Sequence, residues 1–259
     1  MTAAVLVERD GAIATVVLDR PGKLNAMSLA SWTDLGMRMR ELSADESLRC
    51  VIVRGAGTKA FAAGADIAEF PEVRANAAQG KKYGELIHAT MRSIGECPHP
   101  TVAMIHGVCV GGGLEVALMC DLRICGAGSR FGIPINRLGL TMGYGELAGL
   151  LAVVGPAVAL EILLEGRIFG AQEAFDKGLV QRVVADDQVE AEARTAAERI
   201  AAGAPLVARW HKQFIRRLSA KRELSDADWA EGYACFDTAD FREGLAAFLA
   251  KREPRFRGK

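Results

Sequence analysis

The chain has no surplus of charge of either sign. Its 32 Lys and Arg are matched by 32 Asp and Glu, so the formal net charge is zero. A balanced surface offers no field for a nucleic acid or an anionic membrane, and neither is expected as a partner. Paired cysteines are missing as well. Cys50, Cys97, Cys109, Cys120, Cys125 and Cys235 form no CxxC motif, and most stand in apolar runs. This argues against a disulfide framework and suits buried thiols in a reducing cytoplasm. The four histidines, His88, His99, His106 and His211, lack metal-ligand spacing, so no metal site is expected. No apolar run reads as long enough to span a membrane. The start, MTAAVLVERDGAIATVVLDR, lacks the charged n-region of a signal peptide and reads as two strands. There is no flexible linker and no internal repeat. The basic end, KREPRFRGK, reads as a solvated tail or a phosphate contact.

What is present is enough for one large core: 259 residues, half of them hydrophobic. Val5 to Val7 and Ile13 to Leu18 flank an Asp10-Gly11 hairpin signal. Ser28 is placed to cap a helix running to about Ser43. Val51 to Arg54 reads as a strand, and Gln79 to Cys97 as a helix in which His88 is expected to be packed or solvent-facing. Pro156 to Glu165 and Ala171 to Lys177 read as helices, and Val180 to Val184 as a short strand. Helices follow over Gln188 to Ala202, Pro205 to Leu218, Ser225 to Thr238 and Asp240 to Lys251. Alternating strands and helices followed by helix alone predict an α/β fold with a helical C-terminal region.

The chemistry concentrates in Thr101 to Cys125, TVAMIHGVCVGGGLEVALMCDLRIC. An apolar strand leads through Gly111, Gly112 and Gly113 into a helix. Glycines at a helix start let a ligand approach the backbone and leave N–H groups free, where the helix dipole favours negative charge. Glu115, three residues after Gly112, lies near the same end of that helix. Donors beside a carboxylate suit acyl chemistry: the donors hold an oxyanion while the carboxylate moves a proton. A plain strand-to-helix turn with a surface glutamate would show the same residues. A second small-residue turn, FAAGADI at Phe61 to Ile67, follows the Val51 strand. Gly143-Tyr144-Gly145 with Ala148 loosely matches a dinucleotide fingerprint, but no strand precedes it, so that reading is rejected.

FAAGADI and GGGLEVALMCDLRI together resemble the crotonase superfamily, the enoyl-CoA hydratase/isomerase family. The resemblance runs the length of the chain. It includes DRPGKLNAM from Asp19, FGIP from Phe131, GLVQRVV from Gly178 and FREGLAAFLAKR from Phe241. It implies a crotonase (ClpP-like) spiral of ββα units over residues 1–200. Residues 201–259 would be a helical region that covers the site and builds a homotrimer or a dimer of trimers. It also implies an acyl-CoA substrate and no separate cofactor, since coenzyme A arrives as part of the substrate. By resemblance the N–H groups of Ala65 and Gly112 form the oxyanion hole and Glu115 is the acid/base. Lys23, Leu24 and Ala26 would contact coenzyme A; Ala63, Asp66 and Ile67 would line its adenine and pantetheine site. Gly113, Pro134, Ile135 and Gly143 would also belong to the acyl-CoA site, with Ile135 making the acyl pocket more apolar. Tyr233, Phe248 and Lys251 fall where the family places helices near the CoA of the same or a neighbouring subunit. Ala68 stands where the family often carries a lysine, removing one phosphate contact.

The resemblance breaks at one place that matters. Family hydratases carry a second glutamate after the proline of the FGxPE segment, and here that position is Ile135. An isoleucine cannot transfer a proton. Three readings follow. Glu146 could supply the second carboxylate, or serve only as a helix-start glutamate stabilised by the dipole. Glu115 could work alone, in hydration, isomerisation, decarboxylation or thioester hydrolysis. Or the chain could bind acyl-CoA without turning it over. Apolar neighbours Leu114, Val116 and Ile135 are expected to raise the pKa of Glu115.

Overall fold

The computed structural model describes residues 4–220 and 223–259. Met1, Thr2 and Ala3, which open the stretch read above as leaderless, lie outside the described residues. Val5–Asp10 (β1) and Ile13–Leu18 (β2) form the expected hairpin, pairing Asp10 with Ile13 around Gly11 at φ 56°. Ser28 caps Leu29–Ser43 (α1), its hydroxyl accepting from the Ser31 N–H at 3.1 Å.

Three ββα turns follow. The first is Cys50–Gly55 (β3) and Ala60–Ala62 (β4), with Phe70–Val73 (α2) and Ala77–Gly95 (α3). The second is Thr101–Ile105 (β5) and Val108–Val110 (β6), with Gly112–Met119 (α4). The third is Leu122–Gly126 (β7) and Arg130–Gly132 (β8), with Tyr144–Glu165 (α5). The first strand of each turn joins a six-stranded sheet and the second joins a smaller sheet. Phe169–Gly170 (β9), Ala171–Asp176 (α6) and Arg182–Val184 (β10) complete the two sheets, ordered β1-β2-β3-β5-β7-β10 and β4-β6-β8-β9. This is the spiral that the resemblance implies.

The large sheet is covered on both faces, so its central strands are apolar throughout rather than alternating. Val51, Val53, Ala103, Ile105 and Cys125 face the main core with α1, α3 and α4. Their alternates Cys50, Ile52, Val102, Met104 and Ile124 face Val189–Ala202 (α7) through Val189, Ala193, Ala196 and Ala197. Pro205–Ser219 (α8), Asp226–Glu231 (α9) and Ala239–Leu249 (α10) end the chain. Buried Lys212 ties α8 to the sheet, donating to the His99 carbonyl at 2.9 Å and pairing with Asp121 at 2.6 Å.

One expectation needs correction. By length and apolar content α5 is long enough to cross a membrane. Gly155, at φ 72° and ψ 174°, interrupts it, and Pro156 opens its second half, where a missing N–H costs no helical bond. Each half is shorter than a span requires.

Candidate active site

Two turns meet at a cavity of about 880 Å³, within the size range of small-molecule sites. The first turn follows β4, with Gly64 at φ 101°. Met27 and Ala65 form an isolated parallel bridge: Met27 N–H donates to Gly64 O at 2.8 Å and Asp66 N–H to Met27 O at 2.9 Å. That pattern employs the groups on either side of Ala65 and leaves its own N–H unused. The second turn follows β6. Gly112 opens α4, so its N–H has no carbonyl four residues back within the helix. Neither N–H donates to an acceptor among the described residues. A Cβ placed on Gly112 would lie 3.5 Å from the Ala65 nitrogen, which makes the two free donors neighbours.

Only glycine permits this approach. A Cβ on Gly113 would stand 2.2 Å from the Ala62 carbonyl oxygen, and one on Gly112 would stand 2.9 Å from Cζ2 of Trp32. Trp32 cannot retreat. It is buried, and its Nε1–H donates to the Tyr83 hydroxyl at 3.1 Å.

Glu115 stands in the first turn of α4 and lines the cavity. Its carboxyl makes no hydrogen bond or ion pair among the described residues. Burial pushes its carboxyl up to about 7, helped by the charge of Glu146 and opposed by that of Arg74. Glu146 lies in the first turn of α5, is 7% exposed and lines the same cavity. Its side chain folds back over the helix start: a Cβ on Gly143 would meet its Oε2 at 2.4 Å. It is therefore both a helix-start glutamate and a carboxylate that lines the same cavity as Glu115. Ile135 belongs to the cavity wall and packs on the core.

Two free backbone donors beside a desolvated carboxyl are a site for polarising an acyl carbonyl. The Enoyl-CoA hydratase/isomerase family model matches residues 8–259. The chain belongs to the enoyl-CoA hydratase/isomerase family. It is 34% identical over 251 residues to a short-chain-enoyl-CoA hydratase of Clostridium acetobutylicum, covering 96% of this chain and 95% of that one. To a crotonyl-CoA hydratase of Syntrophomonas wolfei it is 32% identical, covering 98% of each. Among solved structures, an enoyl-CoA hydratase/carnithine racemase from Magnetospirillum magneticum superposes with a TM-score of 0.98 at 51% identity. That match covers 100% of this chain and 97% of the other.

Within this family member, Ala63, Ala65, Ile67, Gly112, Pro134 and Gly143 line the cavity along with the two glutamates and Ile135. Gly113, next along α4 from Gly112, is buried and does not line the cavity. Asp66 pairs with Arg20 at 2.8 Å, which holds its carboxylate below the usual range, and it stands next to the cavity-lining Ala65 and Ile67 without lining the cavity itself. Lys23, Leu24 and Ala26 do not line it either. They buttress the first turn, with Leu24 O accepting from Ala63 N–H at 3.0 Å and Ala26 O from Arg20 at 2.6 Å. Phe248 and Lys251 are not brought to the cavity of their own chain. Phe248 is 81% exposed on α10, and Lys251 follows that helix.

Sequence reasoning missed the aromatic wall. Trp32 and Tyr83 are 51 residues apart and no local signal joins them; Tyr83 then packs edge-on to Phe70. His88 is solvent-facing as expected but also borders the cavity, with Gly145 leaving room for its ring and Arg92 donating to its Nε2 at 3.0 Å.

Proposed function

We propose that the protein is an enoyl-CoA hydratase that adds water across the double bond of a 2-enoyl-CoA. The observation that carries this reading is the half-buried Glu115 carboxyl in one cavity with the two unused N–H groups of Ala65 and Gly112. The thioester oxygen sits between those donors, which stabilise it as the carbonyl becomes enolate-like. Glu115, whose carboxyl is pushed up to about 7, donates to C2. Glu146 takes a proton from water as the water oxygen bonds to C3. Return of that proton to Glu115 restores the site. Glu146 thus supplies from α5 the carboxylate that Ile135 cannot. Coenzyme A enters as part of the substrate, and no separate cofactor takes part.

Mass analysis of the product from trans-2-enoyl-CoA tests this. The hydratase reading expects a thioester heavier by one water. A product of unchanged mass with a moved double bond contradicts it and favours isomerisation, which the apolar Ile135 wall would suit by keeping water out. Glu146→Gln is expected to lower kcat by roughly a hundredfold or more, the loss typical of a general acid or base. Removing its charge also removes one of the two causes raising the Glu115 pKa. The break in kcat/KM near pH 7 should therefore move to lower pH in the residual activity, and an unmoved break would show that the two carboxyls do not interact.

The C-terminal region, residues 201–259, supports a homo-oligomer, a trimer or dimer of trimers. Trp229, Tyr233, Phe236 and Phe248 are 60%, 64%, 55% and 81% exposed there, an apolar surface that a single chain leaves in water. Light scattering is expected to give three or six times 27.7 kDa; the mass of one chain would contradict it. Its free cysteines, five of them buried, suit the cytoplasm.

A further inference from the structure

Arg74 is a charged side chain of the cavity with no part in the chemistry proposed above. It follows α2 and lines the cavity together with Glu115 and Glu146. Its guanidinium lies 4.7 Å from the Phe70 ring centroid and 4.8 Å from that of Tyr83. Two aromatic faces therefore fix its position. Its N–H donors have no acceptor, and it makes no ion pair within 4.0 Å, among the described residues. Glu69, the nearby acid whose charge also reaches Tyr83, is occupied by the Leu29 N–H at 2.7 Å. A guanidinium presents five donors in a planar fork suited to a carboxylate. Here that fork is held in place and unused.

Its place along the cavity narrows the choice of ligand. Gly112, the oxyanion donor, abuts Trp32; Trp32 donates to Tyr83; Arg74 stacks over Tyr83. Arg74 is thus one ring removed from the residue that backs the oxyanion hole. Its charge is felt by Glu115 itself. The phosphates of a bound coenzyme A are separated from the thioester by the whole pantetheine arm, so a cation joined to the oxyanion turn through Tyr83 and Trp32 serves the acyl side. The negative charge there is also limited, since Glu115 holds its proton up to about pH 7.

We propose that Arg74 determines acyl specificity by pairing with a carboxylate at the far end of the acyl group, so that the preferred substrates are thioesters of unsaturated dicarboxylic acids. This rests on the reading of the cavity as an acyl-CoA site. A polarised acyl chain would find the apolar wall of Ile135 on one side and the Arg74 fork on the other. An acyl group ending in a quaternary ammonium would meet that fork with like charge.

Binding of saturated thioesters tests the proposal without any turnover. Titration calorimetry would compare glutaryl-CoA with pentanoyl-CoA, which has the same chain length and lacks the second carboxylate. Wild type is expected to bind glutaryl-CoA about 10- to 100-fold more tightly, the range of a charged hydrogen-bonded pair. Arg74→Met should erase the difference through loss of glutaryl-CoA alone, leaving pentanoyl-CoA affinity within about threefold. Arg74→Lys should retain part of the preference, since a point charge replaces a fork. Equal affinity of wild type for the two ligands overturns the proposal, as does an equal fall for both in Arg74→Met. A wild type that discriminates between them yet hydrates no enoyl-CoA would remove the hydratase reading and leave this one standing.

Discussion

Replacing Glu115 with Gln is expected to lower kcat by about a hundredfold to ten-thousandfold, the contribution typical of a positioned general acid or base. Gln keeps the shape of the side chain but cannot give or take a proton, so binding of a saturated acyl-CoA should be retained. Unchanged turnover would remove Glu115 from the chemistry. The same substitution should stabilise the fold at alkaline pH. The Glu115 carboxyl is raised from 4.5 to about 7 in the native state, first by burial and then by Glu146. Between those values the folded chain holds a proton that the unfolded chain releases, so wild-type stability falls as pH rises through that window. Below pH 4.5 the group is protonated in both states and contributes nothing; above pH 7 the cost is complete, on the order of 3 kcal/mol. Glu115→Gln avoids that cost. Its Tm is therefore expected to exceed wild type at pH 8 and to match it near pH 4. A Tm difference that does not change with pH would show that the carboxyl is not desolvated.

Gly112→Ala is expected to have an effect of similar size for a different reason. Its new methyl would stand 2.9 Å from Cζ2 and 3.3 Å from Cη2 of Trp32, closer than carbon atoms normally approach. Trp32 is locked by the Tyr83 hydroxyl and by Thr90, whose Oγ1 donates to the Trp32 carbonyl at 3.0 Å. The glycine turn must therefore shift, and with it an N–H that has to meet the thioester oxygen. Misplacing one oxyanion donor costs about 100- to 1000-fold in kcat, and overpacking the turn costs about 1–3 kcal/mol of stability. Circular dichroism would establish that the variant folds, and steady-state kinetics would give kcat. A folded Gly112→Ala with wild-type kcat would show that this N–H does not hold the oxyanion.

The parts of this site that were legible in the sequence are those with local causes. Gly111 to Gly113 before an apolar helix, FAAGADI after a strand, and Ser28 before a helix each announce backbone geometry within a few residues. The break at Ile135 was equally plain, because a missing carboxylate is a property of one position. Contacts between distant segments were not legible. Arg20 claims Asp66 across 46 residues, and Trp32, Tyr83 and Arg74 assemble from two helices and a turn. The small sheet also escaped notice, since strands of two or three residues such as β4, β6, β8 and β9 are too short to show a period. The apolar run of α5 was underestimated because Gly155 and Pro156 punctuate it. In Glu146 the local and the distant readings coincide. The first helical turn directs its side chain back over Gly143, and that direction points it into the cavity with Glu115.

The central claim is that Glu115 and the two backbone donors add the elements of water to an enoyl thioester. The most direct measurement is incubation of the wild-type protein with crotonyl-CoA in D2O, followed by mass and NMR analysis of the product. The expected result is 3-hydroxybutyryl-CoA carrying one deuterium at C2, with none formed by Glu115→Gln. Recovery of unchanged crotonyl-CoA, or its conversion to free acid and coenzyme A, would contradict the account.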